Sequence, residues 1–186
     1  MVDLIIRDIT QTVMHMPLVL QGLIPVCVFM FFLCFFMRKK NTKALMVMGI
    51  VLTLVYVGVI LHITLFCRET SSLMRYDLSI LKDMGTNDRK NAYHIENILL
   101  FVPLGIFFPL IGKGWRNIFA TVFFSFFVSF AVEFCQFFMK RGYAQVDDLL
   151  MNVLGGFLGW IIWGILFLPS LMMKKLDDDV EEETNS

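Results

Sequence analysis

The chain has 186 residues, of which 58% are hydrophobic and 17% charged, and its 16 basic residues balance 16 acidic ones. An ordinary soluble domain carries about 45–50% apolar and about 25% charged residues. This composition, with a mean hydropathy of +0.72, excludes a disordered chain, argues against a soluble domain or disulfide scaffold, and offers no basic surface for nucleic acid.

Residues 1–16 set Ile5, Ile9, Val13 and Met16 at helical spacing. They read as a short helix in the membrane interface or as a frayed end. Pro17–Met37 is uncharged and exceeds the roughly 7–15 residues of a signal-peptide core. The preceding Asp3, Arg7 and Asp8 form no basic leader, so the block reads as an uncleaved span. A spanning helix needs about 20 apolar residues. Ala44–Cys67 meets this without a charge. Asn97–Gly112 is uncharged but short, about 24 Å as a helix. It spans if its helix starts before Asn97 or if the bilayer is thin. Its Pro103 and Pro109 predict a kink or break. Asn117–Met139 carries one charge, Glu133, and Leu149–Met173 none. The predicted fold is an all-α integral membrane protein, a multi-pass bundle of about five transmembrane helices spanning residues 17–173. Residues 174–186, with the run Asp177–Glu183, are expected to be a disordered acidic tail.

Basic residues on the two sides tie in number, and their density breaks the tie. Arg38, Lys39, Lys40 and Lys43, then Lys113 and Arg116, then Lys174 and Lys175, cluster tightly against helix ends. Such clusters favour the cytoplasm. On the other side most are diluted over the long link between the second and third spans. The first and third links and the C-terminus are therefore expected inside, and the N-terminus outside.

Cys27, Cys34, Cys67 and Cys135 all lie in spans and form no CxxC pair. They read as small apolar residues. His62, inside the second span, reads as a packing residue. No pattern points to a metal or a cofactor.

Ionisable groups inside a span are costly and mark function by default. Glu133 shares one helical stripe with Ser125, Ser129, Gln136 and Lys140, and Asp148, Asn152, Gly155 and Gly159 share another. A polar stripe must face protein or a watery cavity, because lipid cannot satisfy it. The glycines read as close helix packing. The short link between the last two spans makes them an antiparallel hairpin. Helix alternation then gathers Arg68, Asn97, Glu133, Gln136, Arg141, Asp147, Asp148 and Asn152 near one interface, whichever side is outside. An arginine beside Glu133 would keep it ionised, and arginine suits carboxylate or phosphate groups. The cluster reads either as a network locking the helices or as a headgroup pocket with a polar mouth.

The segment Asn97-Ile98-Leu99-Leu100-Phe101-Val102-Pro103-Leu104-Gly105 resembles the N-x-x-L-F-x-P-x-G segment of VanZ-like membrane proteins. Glu133 and Gln136, then Arg141, Asp147-Asp148, Asn152 and Gly155-Gly156 resemble that family's E-x-x-Q…R…D-D-x-x-x-N-x-x-G stretch, and Arg68 also fits. The likeness runs from about Arg68 to Gly159, and the charged link between the second and third spans departs from it. The family's founding member is associated with teicoplanin resistance in Gram-positive bacteria. The resemblance implies a cell-membrane protein whose polar cluster acts at the envelope, with membrane lipids as partners.

Two functions follow as expectations. One is binding of the headgroup of a lipid-linked envelope precursor or a lipoglycopeptide, altering antibiotic access. The other is a membrane enzyme using Glu133 as acid or base with Asp147 and Asp148. The second lacks a clear nucleophile or a His-rich metal motif. A transporter reading finds no internal repeat and intramembrane charge near one face only.

Overall fold

The computed structural model describes residues 2–15, 18–37, 42–66, 76–77, 88–140 and 144–184. The fold is an all-α membrane bundle. Helix α1 is Val2–His15, α2 Leu18–Met37, α3 Thr42–Phe66, α4 Asp88–Phe107, α5 Ile118–Met139 and α6 Val146–Thr184. Apolar segments adopt helices in lipid because only a helix or a closed barrel satisfies every backbone group without water. Lys43–Phe66, Lys90–Ile111, Ile118–Met139 and Val146–Met173 are each long and apolar enough to cross a membrane. Helix α2 adds 20 residues, helical over almost the whole first block despite Pro25. The protein is thus a multi-pass membrane protein.

The third span differs most from its apolar block. It starts at Asp88, well before Asn97, and α1 packs against it. Ala92 and His94 are buried there, so tertiary packing makes a span of residues that hydropathy alone leaves out. Pro103 does not break it, whereas at Pro109 the α-helix has given way to a 3-10 turn. Pro103 stays inside α4, where its ring withdraws the amide that would bond the Leu99 carbonyl. In that same turn the Tyr56 hydroxyl donates to the Leu100 carbonyl at 2.9 Å. Pro109 lies near the start of a 3-10 turn, Phe108–Ile111, where a missing N–H costs little. A second 3-10 turn, Lys113–Trp115, leads into α5, which is capped by the Asn117 side chain accepting from the Phe119 amide at 2.9 Å.

Helix α6 continues through Lys174 to Thr184, whereas charge alone predicts a disordered tail. Extending a formed helix avoids the nucleation cost, and its Leu, Lys and Glu residues are good helix formers.

Helices α4 and α6 run parallel in intimate contact. An added Cβ at Gly155 would meet the Ile98 carbonyl, and one at Gly159 the Val102 carbonyl. Helix α5 runs antiparallel to α6, with Gly156 seated on the Ser125 hydroxyl. One apolar core gathers Cys27, Cys34, Leu45, Leu52, Phe107, Trp163 and Phe167, and a second gathers Ile60, Phe101, Leu104 and Val132. The two thiols are free and buried. His62 stacks on Phe66 with centroids 5.3 Å apart, which is packing as expected. The outer stripe of α5 is aromatic: Phe119, Phe123, Phe127, Phe130, Phe134 and Phe138 are each more than half exposed. In water that surface would be a liability; in a bilayer it is the lipid face.

At the Glu133 end a short parallel pairing joins Tyr76–Asp77 to Ala144–Gln145. It ties the link between α3 and α4 to the link between α5 and α6. Helix α5 ends there in left-handed Lys140, at φ 54°. A side chain in that conformation costs about 1 kcal/mol, so Lys140→Gly should raise thermal stability in detergent by roughly that amount.

Candidate functional site

The site grows from the inner stripe of α5, opposite its phenylalanines. Thr121, Ser125, Ser129, Glu133 and Gln136 are all buried. Two of them close the ends of neighbouring helices. Gln136 Nε2 donates to the Thr64 carbonyl at 3.0 Å, near the end of α3, where the final carbonyls lack helical partners. Glu133 Oε2 accepts from the Gln145 amide at 3.1 Å, immediately before α6. The carboxylate thus sits at the positive end of the α6 dipole, with Asp147 and Asp148 in the first turn. Gln136→Ala should therefore cost about 1 kcal/mol of stability, readable as a lower unfolding temperature in detergent.

Helix α6 supplies the second wall. Asn152 Nδ2 donates to Ser129 Oγ at 2.9 Å, one turn from the contact between Gly156 and Ser125. Continuing this antiparallel step by one more turn sets Asp148 level with Glu133. Both are buried, so two carboxylates share one level of the bundle. Helix α4 supplies the third wall. It faces α6 through Ile98, Phe101, Val102 and Gly105, and His94 and Asn97 continue that face one turn earlier. The parallel register of these contacts carries His94 and Asn97 toward the start of α6.

His94 Nδ1, Asn97 Nδ2 and Asn152 Oδ1 are among the buried atoms without a hydrogen-bond partner. Burying such an atom unmatched costs about 1–3 kcal/mol. Other buried atoms along the bundle also lack a partner, among them Thr121 Oγ1, Ser125 Oγ, Arg116 Nε and Trp163 Nε1, whereas Thr53 and Thr64 return their hydroxyls to the Gly49 and Ile60 carbonyls, both at 2.8 Å.

Of the residues singled out in the sequence, Asn97, Glu133, Gln136, Asp148 and Asn152 are buried, and the register brings them to one end of the bundle. Asp147 is half-buried beside them. Arg68 and Arg141 lie outside the described residues, and so does the arginine pairing expected for Glu133. Among the described residues the Gln145 amide donates to Glu133. The sequence reading places His94 just ahead of the third span and outside the cluster; its spacing of three from Asn97 places both on one face. Among the described residues no group of three or more His, Cys, Asp or Glu side chains is arranged to hold a metal ion.

The opposite end is chemically different. Arg116 is half-buried there, its backbone carbonyl accepts from Trp160 Nε1 at 2.9 Å, and burial pulls its guanidinium below its ordinary pKa.

Residues 23–167, most of the chain, match the protein family described as VanZ/LLP1. Protein VanZ of Enterococcus faecium is 32% identical over 85 residues, covering 45% of this chain and 50% of that protein. The chain thus aligns with half the length of this curated relative. No solved structure gives a significant match.

Proposed function

As the chain belongs to the VanZ/LLP1 family, we propose that it acts at the cell envelope, binding the headgroup of a lipid or lipopeptide and lowering susceptibility to teicoplanin-type lipoglycopeptide antibiotics. The observation that carries this reading is the gathering of buried Asn97, Glu133, Gln136, Asp148 and Asn152 at one end of the bundle. Apolar walls hold a lipid chain, and amide and carboxylate groups read the polar end. Protein VanZ is the relative that suggests resistance.

The direct test is expression of the chain in a susceptible Gram-positive host. The inhibitory concentration of a lipoglycopeptide should rise at least severalfold, while that of an unrelated antibiotic stays unchanged. An equal rise for both, or none, contradicts the reading.

The proposal also needs the Glu133 end to face outward. Single cysteines placed in a cysteine-free background should react with an impermeant thiol reagent on intact cells at residues 75–90. Those in the Arg38–Lys43 link should react only after lysis. The reverse pattern would invert the bundle and remove access from outside.

A further inference from the structure

Arg116 is a cation held in place by its main chain and left without a counter-charge. Its carbonyl accepts from Trp160 Nε1 on α6 at 2.9 Å, and its amide donates to the Lys113 carbonyl at 3.4 Å. The side chain is half-buried, and Nε is buried without a hydrogen-bond partner. Among the described residues no carboxylate pairs with it, and burial lowers its pKa with no opposite charge to offset the effect. Its two terminal nitrogens are not buried, so they stay open to a ligand.

The sequence accounts for the missing counter-charge. The acidic residues of the chain fall in α1, in the link between α3 and α4, in α4, at Glu133, in the first turn of α6 and in the run Asp177–Glu183. Residues 38–41 and 108–117, the two links at the Arg116 end, hold none. The acidic run begins 17 residues beyond Trp160 on a helix that continues to Thr184, about 25 Å along its axis. That distance exceeds the roughly 8–10 Å over which exposed charges act. Lys113, in the same turn as Arg116, is exposed, and so is Lys43 near the start of α3, whose Gly49 packs on Leu110.

The approach to this turn is apolar. Trp115, between the two cations, is half exposed, with its ring edge-on to Phe108 at 5.4 Å. Phe119 and Phe123, which follow on α5, are more than half exposed and belong to the lipid face. Tryptophan beside basic residues marks the depth of the headgroups. An anion that arrives along this surface comes joined to acyl chains. The terminal nitrogens of arginine match two phosphate oxygens in parallel hydrogen bonds, whereas an ammonium on the same lipid would meet cations and no carboxylate.

We propose that the Lys113–Arg116 turn binds the phosphate of an acidic, amine-free phospholipid, at the end of the bundle opposite the Glu133 cluster. Arg116 supplies the paired donors, Lys113 a second charge, and Trp115 the contact with the upper acyl chain.

The test uses the full-length protein in phosphatidylcholine vesicles, with brominated phosphatidylglycerol or brominated phosphatidylcholine replacing a rising fraction of the lipid. Bromine quenches tryptophan on contact, and Trp115 is the exposed tryptophan of this turn. Phosphatidylglycerol should quench at a mole fraction about tenfold lower than phosphatidylcholine, the effect of one hydrogen bond to a charged group. The preference should vanish in Arg116→Gln, fall severalfold in Lys113→Gln, and be lost with the signal in Trp115→Phe. Arg116→Gln should unfold in detergent no lower than the parent, because the Arg116 side chain gives up no bond to a described residue. Arg116→Lys, which keeps the charge without the paired donors, should retain only part of the preference. Lys43→Gln should keep it. Equal quenching by the two lipids in the parent, full preference in Arg116→Gln or Arg116→Lys, or a preference that survives Trp115→Phe would each overturn the proposal. So would equal losses in Lys43→Gln and Arg116→Gln, which would mark diffuse attraction to a basic surface. Glycerol phosphate added in the water phase should leave the quenching unchanged; relief of quenching would assign the turn to a soluble phosphate and overturn the lipid.

Discussion

Gly159→Ala should cost this protein about 1–3 kcal/mol, the usual effect of overpacking a tight interior, and Gly155→Ala should do the same. The added methyls would strike the Val102 and Ile98 carbonyls, and Phe101 Cβ stands 3.0 Å from the Gly155 position. Backbone cannot rotate away as a side-chain tip can, so relief requires α4 and α6 to separate. In a membrane that separation is especially damaging, because close van der Waals packing replaces the hydrophobic drive between helices. Both variants should accumulate poorly and unfold at lower temperature in detergent. Gly58 and Gly164 are the internal controls, since a Cβ at either meets nothing within 4 Å. Alanine there should be neutral or stabilising by about 0.5–1 kcal/mol, the helix-interior preference of Ala over Gly. Equal losses at all four positions would show that glycine flexibility, rather than close approach, holds the bundle.

Glu133 offers the second large effect, with a sign that depends on the substitution. An acid within a span carries an insertion cost of about 2.5–3.5 kcal/mol. The α6 N-terminus offsets part of it through the Gln145 amide and the helix dipole. Glu133→Ala removes that acceptor and should cost about 1.5–3 kcal/mol, the range for a hydrogen bond to a charged group. Glu133→Gln keeps a side-chain oxygen that can accept from Gln145 and removes a buried charge. Its unfolding temperature should stay near that of the parent, while resistance falls. If the glutamine variant instead unfolds as early as the alanine variant, the carboxylate charge is a structural ion partner, for which neutralising one member costs about 3–5 kcal/mol. Membrane abundance and thermal unfolding, measured side by side, decide between them.

The spans were legible because lipid imposes a simple rule, that about 20 apolar residues form a helix. That rule failed just ahead of Asn97, where Ala92 and His94 are buried by helix packing instead of by residue type. The polar stripe of α5 was legible from spacing alone, and so was the glycine face of α6. What spacing cannot supply is the register between helices. Two contacts provide it, Asn152 with Ser129 and Gly156 with Ser125, and from them follows the shared level of Glu133 and Asp148. Nor can spacing tell a satisfied polar group from an unsatisfied one. Gln136 and Asn97 look alike in the sequence, yet Gln136 closes the end of α3 while Asn97 Nδ2 finds no partner.

That contrast makes Asn97 the sharpest probe of the site. Its amide nitrogen contributes no bond to the fold, so Asn97→Leu removes a buried polar group of similar size at little or no structural cost. The measurement is lipoglycopeptide susceptibility of a host carrying this variant, with membrane abundance quantified in the same cells. A site that reads a headgroup predicts a variant as abundant as the parent and as susceptible as cells without the protein. Parental resistance at parental abundance would contradict it, and would leave the polar cluster a structural lock between α3, α4, α5 and α6.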